Sequence, residues 1–264
     1  MTSILSKSTL FVCTLGASAC GDPTGASVPE FTPASVPPPT ETDFALSFDG
    51  QGQYATTATS HFPIANASQS ITLWMKRRDS DAEQAIFTMR RGIESGTLLG
   101  LSGGRLTVWS VWGMRVFAQS DVIEPDRWIH VAHVQVLTDE AEGSYDQRLY
   151  LDGVLAAQGT LSPQNRTPTS GWIGTFDSTQ MPYAGFLDDL RFYARPLGDE
   201  EIEREATAGE LPDEDRLIAS FGFDEAPGSL VAYDRSGRGN HATLGDGVRD
   251  LMPERVVSDA PKRP

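Results

Sequence analysis

The sequence predicts an all-β sandwich of two antiparallel sheets with one short helix near residues 199–206. Three observations carry this expectation. Ile71, Leu73 and Met75 alternate with Thr72, Trp74 and Lys76, the period-two pattern of a strand with two unlike faces. Leu149-Tyr150-Leu151 and Val154-Leu155-Ala156 flank Asp152-Gly153, a dipeptide suited to the positive φ angles of a tight hairpin. Helical character is confined to residues 199–206, where Glu200, Glu201 and Glu203 fall in the first turns and complement the helix dipole.

The N-terminal segment is an export signal in composition. Lys7 precedes a short apolar stretch, and Gly16, Ala17, Ser18 and Ala19 follow it. The stretch is shorter than the roughly 20 residues that span a bilayer. Ala17-Ser18-Ala19-Cys20 resembles a bacterial lipobox, although Leu is the usual residue where Ala17 stands. The resemblance implies cleavage after residue 19 and lipidation of Cys20; an ordinary cleaved signal with an incidental Cys is the alternative. Residues 20–43 are rich in Pro, Ser and Thr, and Val36-Pro37-Pro38-Pro39 favours extended, solvated backbone. Such a segment buries too little apolar area to offset its ordering entropy, so a tether is expected. Gly21 stands where the enterobacterial inner-membrane retention signal has Asp, which directs the expectation to a lipid-anchored cell-envelope protein of the outer membrane.

From residue 44 onward, short apolar runs are separated by Gly, Asp and Asn. Residues 128–136 are apolar on both faces, as an inner strand requires. Leu217, Ala219, Phe221 and Phe223 again lie two apart. No tandem repeat appears, which sets propellers and solenoids aside. The expected organisation is a signal at 1–19, lipidated Cys and tether at 20–43, one domain at 44–250 and a C-terminal tail at 251–264.

Six segments then resemble, in order, the bacterial laminin-G-like domains of the concanavalin A-like jelly rolls. They are Ala45-Leu46-Ser47-Phe48-Asp49-Gly50 with Tyr54, residues 70–76, Trp128-Ile129-His130-Val131-Ala132, and Leu149-Tyr150-Leu151-Asp152-Gly153. The fifth is Gly185-Phe186-Leu187-Asp188-Asp189-Leu190-Arg191-Phe192-Tyr193 with Arg195-Pro196-Leu197 and Glu201-Ile202. The sixth runs from Phe223-Asp224-Glu225 through Asp234, Ser236-Gly237 and Gly239-Asn240-His241-Ala242-Thr243-Leu244. Two features depart from the family. Gly198 occupies the usual Ser or Thr cap position, which shifts the expected cap to Asp199. The sixth element often precedes the first; here it comes last, and it is expected to close the same domain rather than begin a truncated second copy.

Charge and motifs narrow the function. Among 264 residues there are 36 Asp plus Glu against 21 Lys plus Arg, a net charge of −15. That balance argues against a nucleic-acid partner, whose phosphates need a basic patch. The two Cys fall within the first twenty residues and make no disulfide framework. The glucanases of this fold use two carboxylates on one strand in an E-x-D-x-x-E run, which holds acid and nucleophile ~5–5.5 Å apart; no such run occurs. Asp188 and Asp189 are adjacent, so strand alternation expects them on opposite faces. The same rule separates His130 from His133, and His130 is expected to be a buried structural residue. His61 and His241 lie in turn-rich segments with no second His nearby. There is no HExxH, CxxC or Gly-x-Ser-x-Gly.

Calcium has a stronger case, because hard cations take oxygen ligands from turns. Asp234 and Asn240, with Asp188 or Asp189, are the candidate ligands; the competing reading is a tight turn held by its own side chains. Carbohydrate recognition needs an aromatic platform with a few polar groups. Trp109, Trp112, Arg115 and Tyr183 are the candidates, against the alternative that the aromatics are core. The sequons at Asn66 and Asn165 are accidental in a bacterial lipoprotein. The resemblance implies an exported, non-catalytic binding lipoprotein that recognises glycan or another surface ligand. A protein–protein adhesion or scaffold module is the main alternative, and a polysaccharide hydrolase the remote one.

Overall fold

The sequence alternation resolves into strands whose two faces meet different partners. This computed structural model describes residues 36–57, 62, 67–91, 95–111, 114–139, 144–161 and 169–261. The signal segment, Cys20, His61, Asn66, Trp112 and Asn165 lie outside the described residues.

In chain order the strands are β1 (Phe44–Asp49), β2 (Ala55–Thr57), β3 (Gln69–Arg77), β4 (Gln84–Arg91), β5 (Ser95–Ser102) and β6 (Arg105–Ser110). They continue with β7 (Val116–Val122), β8 (Trp128–Asp139), β9 (Ser144–Leu151), β10 (Val154–Leu161), β11 (Ser170–Ile173) and β12 (Ala184–Tyr193). Helix α1 (Asp199–Ala208) is followed by β13 (Leu217–Phe221), β14 (Val231–Ala232), β15 (Ala242–Leu244) and β16 (Glu254–Val257).

Among the described residues these form two antiparallel sheets, a jelly-roll sandwich. The first sheet runs β10-β9-β8-β3-β12-β1-β16, with β13 paired to β12 beyond the end of β1. The second runs β14-β15-β2-β11-β4-β5-β6-β7. Leu73, Met75, Val131, Leu149 and Leu187 of the first sheet share one core with Phe87, Met89, Leu99, Leu101, Val108 and Ile173 of the second. The Asp152-Gly153 turn has φ angles of 48° and 84°, and it is Gly153 that tolerates the second at least cost. Asp152 also accepts the His130 amide (2.9 Å), tying the hairpin to β8.

The outer face of the first sheet is covered rather than solvated, which is why β8 is apolar on both sides. Ile202 of α1 packs with Ala132, Val134, Tyr150, Tyr193, Leu197 and Leu217. Beside it, Ala45, Trp74 and Trp128 cluster with Phe186, Val256 and Ala260. The helix begins with Gly198 as its cap, not Asp199: the Glu201 carboxylate accepts the Gly198 amide at 2.9 Å, while Asp199 accepts the Tyr150 hydroxyl at 2.6 Å. Arg195 clamps Glu201 at 2.7 and 2.9 Å and holds its carboxyl below the usual range.

One boundary changes. The tail expected at 251–264 contains β16, which pairs with β1 from Phe44↔Val257 to Ser47↔Glu254. The sixth element closes the same sandwich, since β13 joins the first sheet and β15 joins β2 of the second.

Candidate functional site

The residues singled out from sequence do not assemble into one ligand site. Trp109 is 2 % exposed and packs with Ala85, Leu98, Val111 and Phe176; Tyr183 is fully buried, edge-on to Phe48 at 5.8 Å. Both aromatics are therefore corrected to packing roles, because each is enclosed and presents no ring face to a sugar. Arg115 is exposed just ahead of β7, where its carbonyl accepts the Ser110 amide.

The oxygen-rich turn behaves likewise. Asp234 accepts the amides of Ser220 (3.0 Å), Ser236 (2.9 Å) and Asn240 (2.9 Å) and the Ser236 hydroxyl (2.9 Å). Asn240 donates to the Ile218 carbonyl at 2.6 Å. Asp188 instead accepts Ser258 (2.6 Å), and Asp189 pairs with Arg191 (3.1 Å). The four calcium candidates are thus divided among different internal partners. Among the described residues no group of three His, Cys, Asp or Glu is arranged to hold a metal ion.

Strand alternation fails at Asp188-Asp189 for a visible reason. A bulge lies between Asp188 and Arg191, and Asp189 has φ of 48°. Asp188 registers with outward-facing Trp74, and Asp189 reaches Arg191, which also meets Glu205 of α1. Both carboxylates consequently serve the outer, helix-covered side. His130 and His133 do divide between faces. His130 lies against Trp74 and 3.7 Å from Glu205 on the outer side. His133 contacts Gln147 at 2.6 Å on the inner side, and burial pushes its pKa down to about 4. Burial alone would raise the Glu205 carboxyl; His130, Arg191 and Thr72 outweigh it and hold the group below its ordinary value.

A different surface has the chemistry of recognition: the outer face of the second sheet. Trp172 of β11 registers with Thr56 and Thr88, while its neighbour Ile173 points into the core. The half-buried indole lies 5.3 Å from the Tyr54 ring, and the Arg90 guanidinium stands 6.0 Å from its centroid. Arg90 also covers Phe176 at 4.8 Å and lies 4.0 Å from Asp177. Asp246 is exposed in a left-handed turn, where it accepts the hydroxyls of Tyr54 (3.0 Å) and Thr56 (2.7 Å). The Trp172 indole N–H is buried with no hydrogen-bond partner among the described residues, a donor whose isolation costs about 1–3 kcal/mol. The sequence reading passed over Trp172. Its one available signal was a Trp beside core-type Ile173 on a short Gly-flanked strand, and only pairing with β2 and β4 identifies its face.

The two antiparallel sheets define a jelly-roll sandwich module. The family model Laminin_G_3, described as the Concanavalin A-like lectin/glucanases superfamily, matches residues 49–203, more than half of the chain. The chain belongs to this family. No curated protein matches significantly. Among solved structures, a Bacteroides ovatus protein whose carbohydrate binding is itself inferred superposes with a TM-score of 0.62 at 16% identity. That match covers 84% of this chain and 62% of the other, so the chain spans about three fifths of its length. The botulinum neurotoxin serotype D ligand binding domain, solved with N-acetylneuraminic acid, gives 0.50 at 15% identity, covering 75% and 49%. The heptameric SAP-like pentraxin of Limulus polyphemus gives 0.49 at 15%, covering 80% and 97%. At these identities the likeness is one of fold.

Proposed function

We propose that the protein is an exported, membrane-anchored and non-catalytic binding lipoprotein whose jelly roll recognises glycan or another surface ligand. The observation that carries the reading is the half-buried Trp172 indole, backed by the buried Tyr54 ring and neighboured by Arg90, Thr56 and Asp246. An aromatic surface with flanking hydroxyl, carboxylate and guanidinium groups is the combination that binds a sugar by its C–H face and its hydroxyls. Family membership supports the reading, because lectins share this fold; fold alone does not assign the ligand. The anchor rests on the sequence around Cys20.

Three measurements separate the alternatives. Binding of the full chain to a glycan array, lost in Trp172→Ala, is the expected result; binding to envelope proteins alone favours the adhesion reading. Release of reducing sugar from polysaccharides would establish a hydrolase. Palmitate incorporation into wild type but not Cys20→Ser is expected, and equal labelling rejects the anchor.

A further inference from the structure

The C-terminal closure builds a cavity whose lining, Gln53 apart, lies beyond the segment matched by the family. It has a volume of 760 Å³ and is lined by Gln53, Leu230, Arg249, Asp250, Met252 and Glu254, with Arg255 at its base. Small-molecule sites occupy roughly 300–1,000 Å³. The base is fixed. Arg255 is 1 % exposed in its side chain and donates to the carbonyls of Phe223 (3.0 Å), Ser229 (2.8 Å) and Val231 (2.9 Å) and to Glu225 (2.9 Å). These bonds pin the 223–231 segment to β16, so both walls are held without a ligand.

The rim has a different character. Arg249, Asp250 and Glu254 are exposed and form no ion pair among the described residues. Gln53 uses its carbonyl oxygen on the Asp49 amide (2.9 Å). Leu230, 48 % exposed, and Met252 supply apolar surface between these polar groups. A lipid chain would desolvate three unpaired charges without compensation. A polyanion would meet two carboxylates for one guanidinium. A neutral polyhydroxylated ligand avoids both costs, since planar carboxylate, guanidinium and amide groups each engage hydroxyls while Leu230 and Met252 meet a pyranose C–H face.

We propose that this seam cavity binds the end of a neutral oligosaccharide, as a subsite lined by other residues than the Trp172 face. The inference rests on the glycan-binding reading and deepens it. The test uses the purified full chain in detergent with methyl-labelled Met, and cellotriose, maltotriose and chitotriose as probes. Met252 reports the seam, and Met181, packed beside the Phe176 cluster, reports the second-sheet face. The expected result is a saturable shift of the Met252 methyl with at least one trisaccharide. Arg249→Ala and Glu254→Gln, both at exposed unpaired positions, should each weaken it about tenfold. A shift of Met181 without Met252 overturns the seam site and leaves glycan binding standing. Saturation of Met252 unaffected by both variants also overturns it. No methyl shift with any probe overturns the seam site, and a blank glycan array in addition removes the reading beneath it.

Discussion

His133 and Glu205 show how a single side chain in this sandwich acquires its role from what covers it. His133 faces the interior, where Gln147 contacts it and in turn donates to Gln135 at 3.0 Å. Its folded pKa of about 4 lies below the ordinary 6.5, so between those values the unfolded chain binds the extra proton. Stability must therefore fall as pH drops from 6.5 toward 4, by about 3 kcal/mol for this group. Denaturant melts of wild type and His133→Gln at pH 7 and pH 5 should show the difference between them change by about 2 kcal/mol in the variant's favour. A constant difference would refute the assignment. Glu205 instead sits on the buried face of α1, 3 % exposed, receiving Thr72 (2.9 Å) and Arg191 (3.2 Å). Breaking a buried pair from one side costs about 3–5 kcal/mol. Glu205→Ala should lose that order of stability in chemical denaturation, and Glu205→Gln, which keeps an acceptor, distinctly less.

At the scale of elements, closure of the sandwich depends on close backbone approaches. Where β10 nears β7, a Cβ added at Gly159 would stand 1.7 Å from the Phe117 carbonyl oxygen. Gly159→Ala must push the strands apart, and an overpacked site of this kind costs about 1–3 kcal/mol, readable as a lowered melting temperature. An unchanged melting temperature would mean that the two edges are not held together. The elements themselves were largely legible: the Ile71-Leu73-Met75 alternation, the Asp152-Gly153 hairpin and the helix after Gly198 follow from local periodicity and turn chemistry. The Asp188-Asp189 arrangement was not, because a bulge cancels the alternation on which the expectation rested. Trp109 and Tyr183 stay open between platform and core in the sequence, because period-two patterning neither shows that a loop covers the outward Trp109 nor that Tyr183, ahead of β12, turns into the inter-sheet core. Residues 174–183 cover Trp109 through Phe176 and Met181, with Asp177 holding Thr179 and Gln180. The seam cavity had no local signal at all, since Gln53, Leu230 and Arg249 are brought together only by β15 pairing with β2 and β16 pairing with β1.

For the whole molecule, the C-terminal residues complete the structure that the family match leaves open. Arg255 links the 223–231 segment to the first sheet, and Asp259 receives Lys76 (2.7 Å) and the Trp128 indole (2.5 Å). Deleting residues 253–264 takes Arg255 from Glu225, leaving it the Tyr233 amide (2.9 Å) and Arg235 at 3.7 Å, and uncovers Trp74, Trp128 and Phe186. With the closing strand and this apolar cover gone, the shortened chain should melt well below the full one and bind hydrophobic dye. No helix among the described residues is long and apolar enough to cross a membrane. The central claim is that the outer face of the second sheet recognises carbohydrate without cleaving it. Affinity of the full chain for glycans selected on an array, measured by titration calorimetry for wild type and Trp172→Ala, tests it most directly. Retained affinity in wild type, loss of about tenfold in the variant and intact glycan recovered afterwards are predicted, given ~0.5–1.5 kcal/mol for an aromatic contact beyond its buried area. Equal affinity in the two proteins, or shortened glycan in the recovered sample, would contradict it.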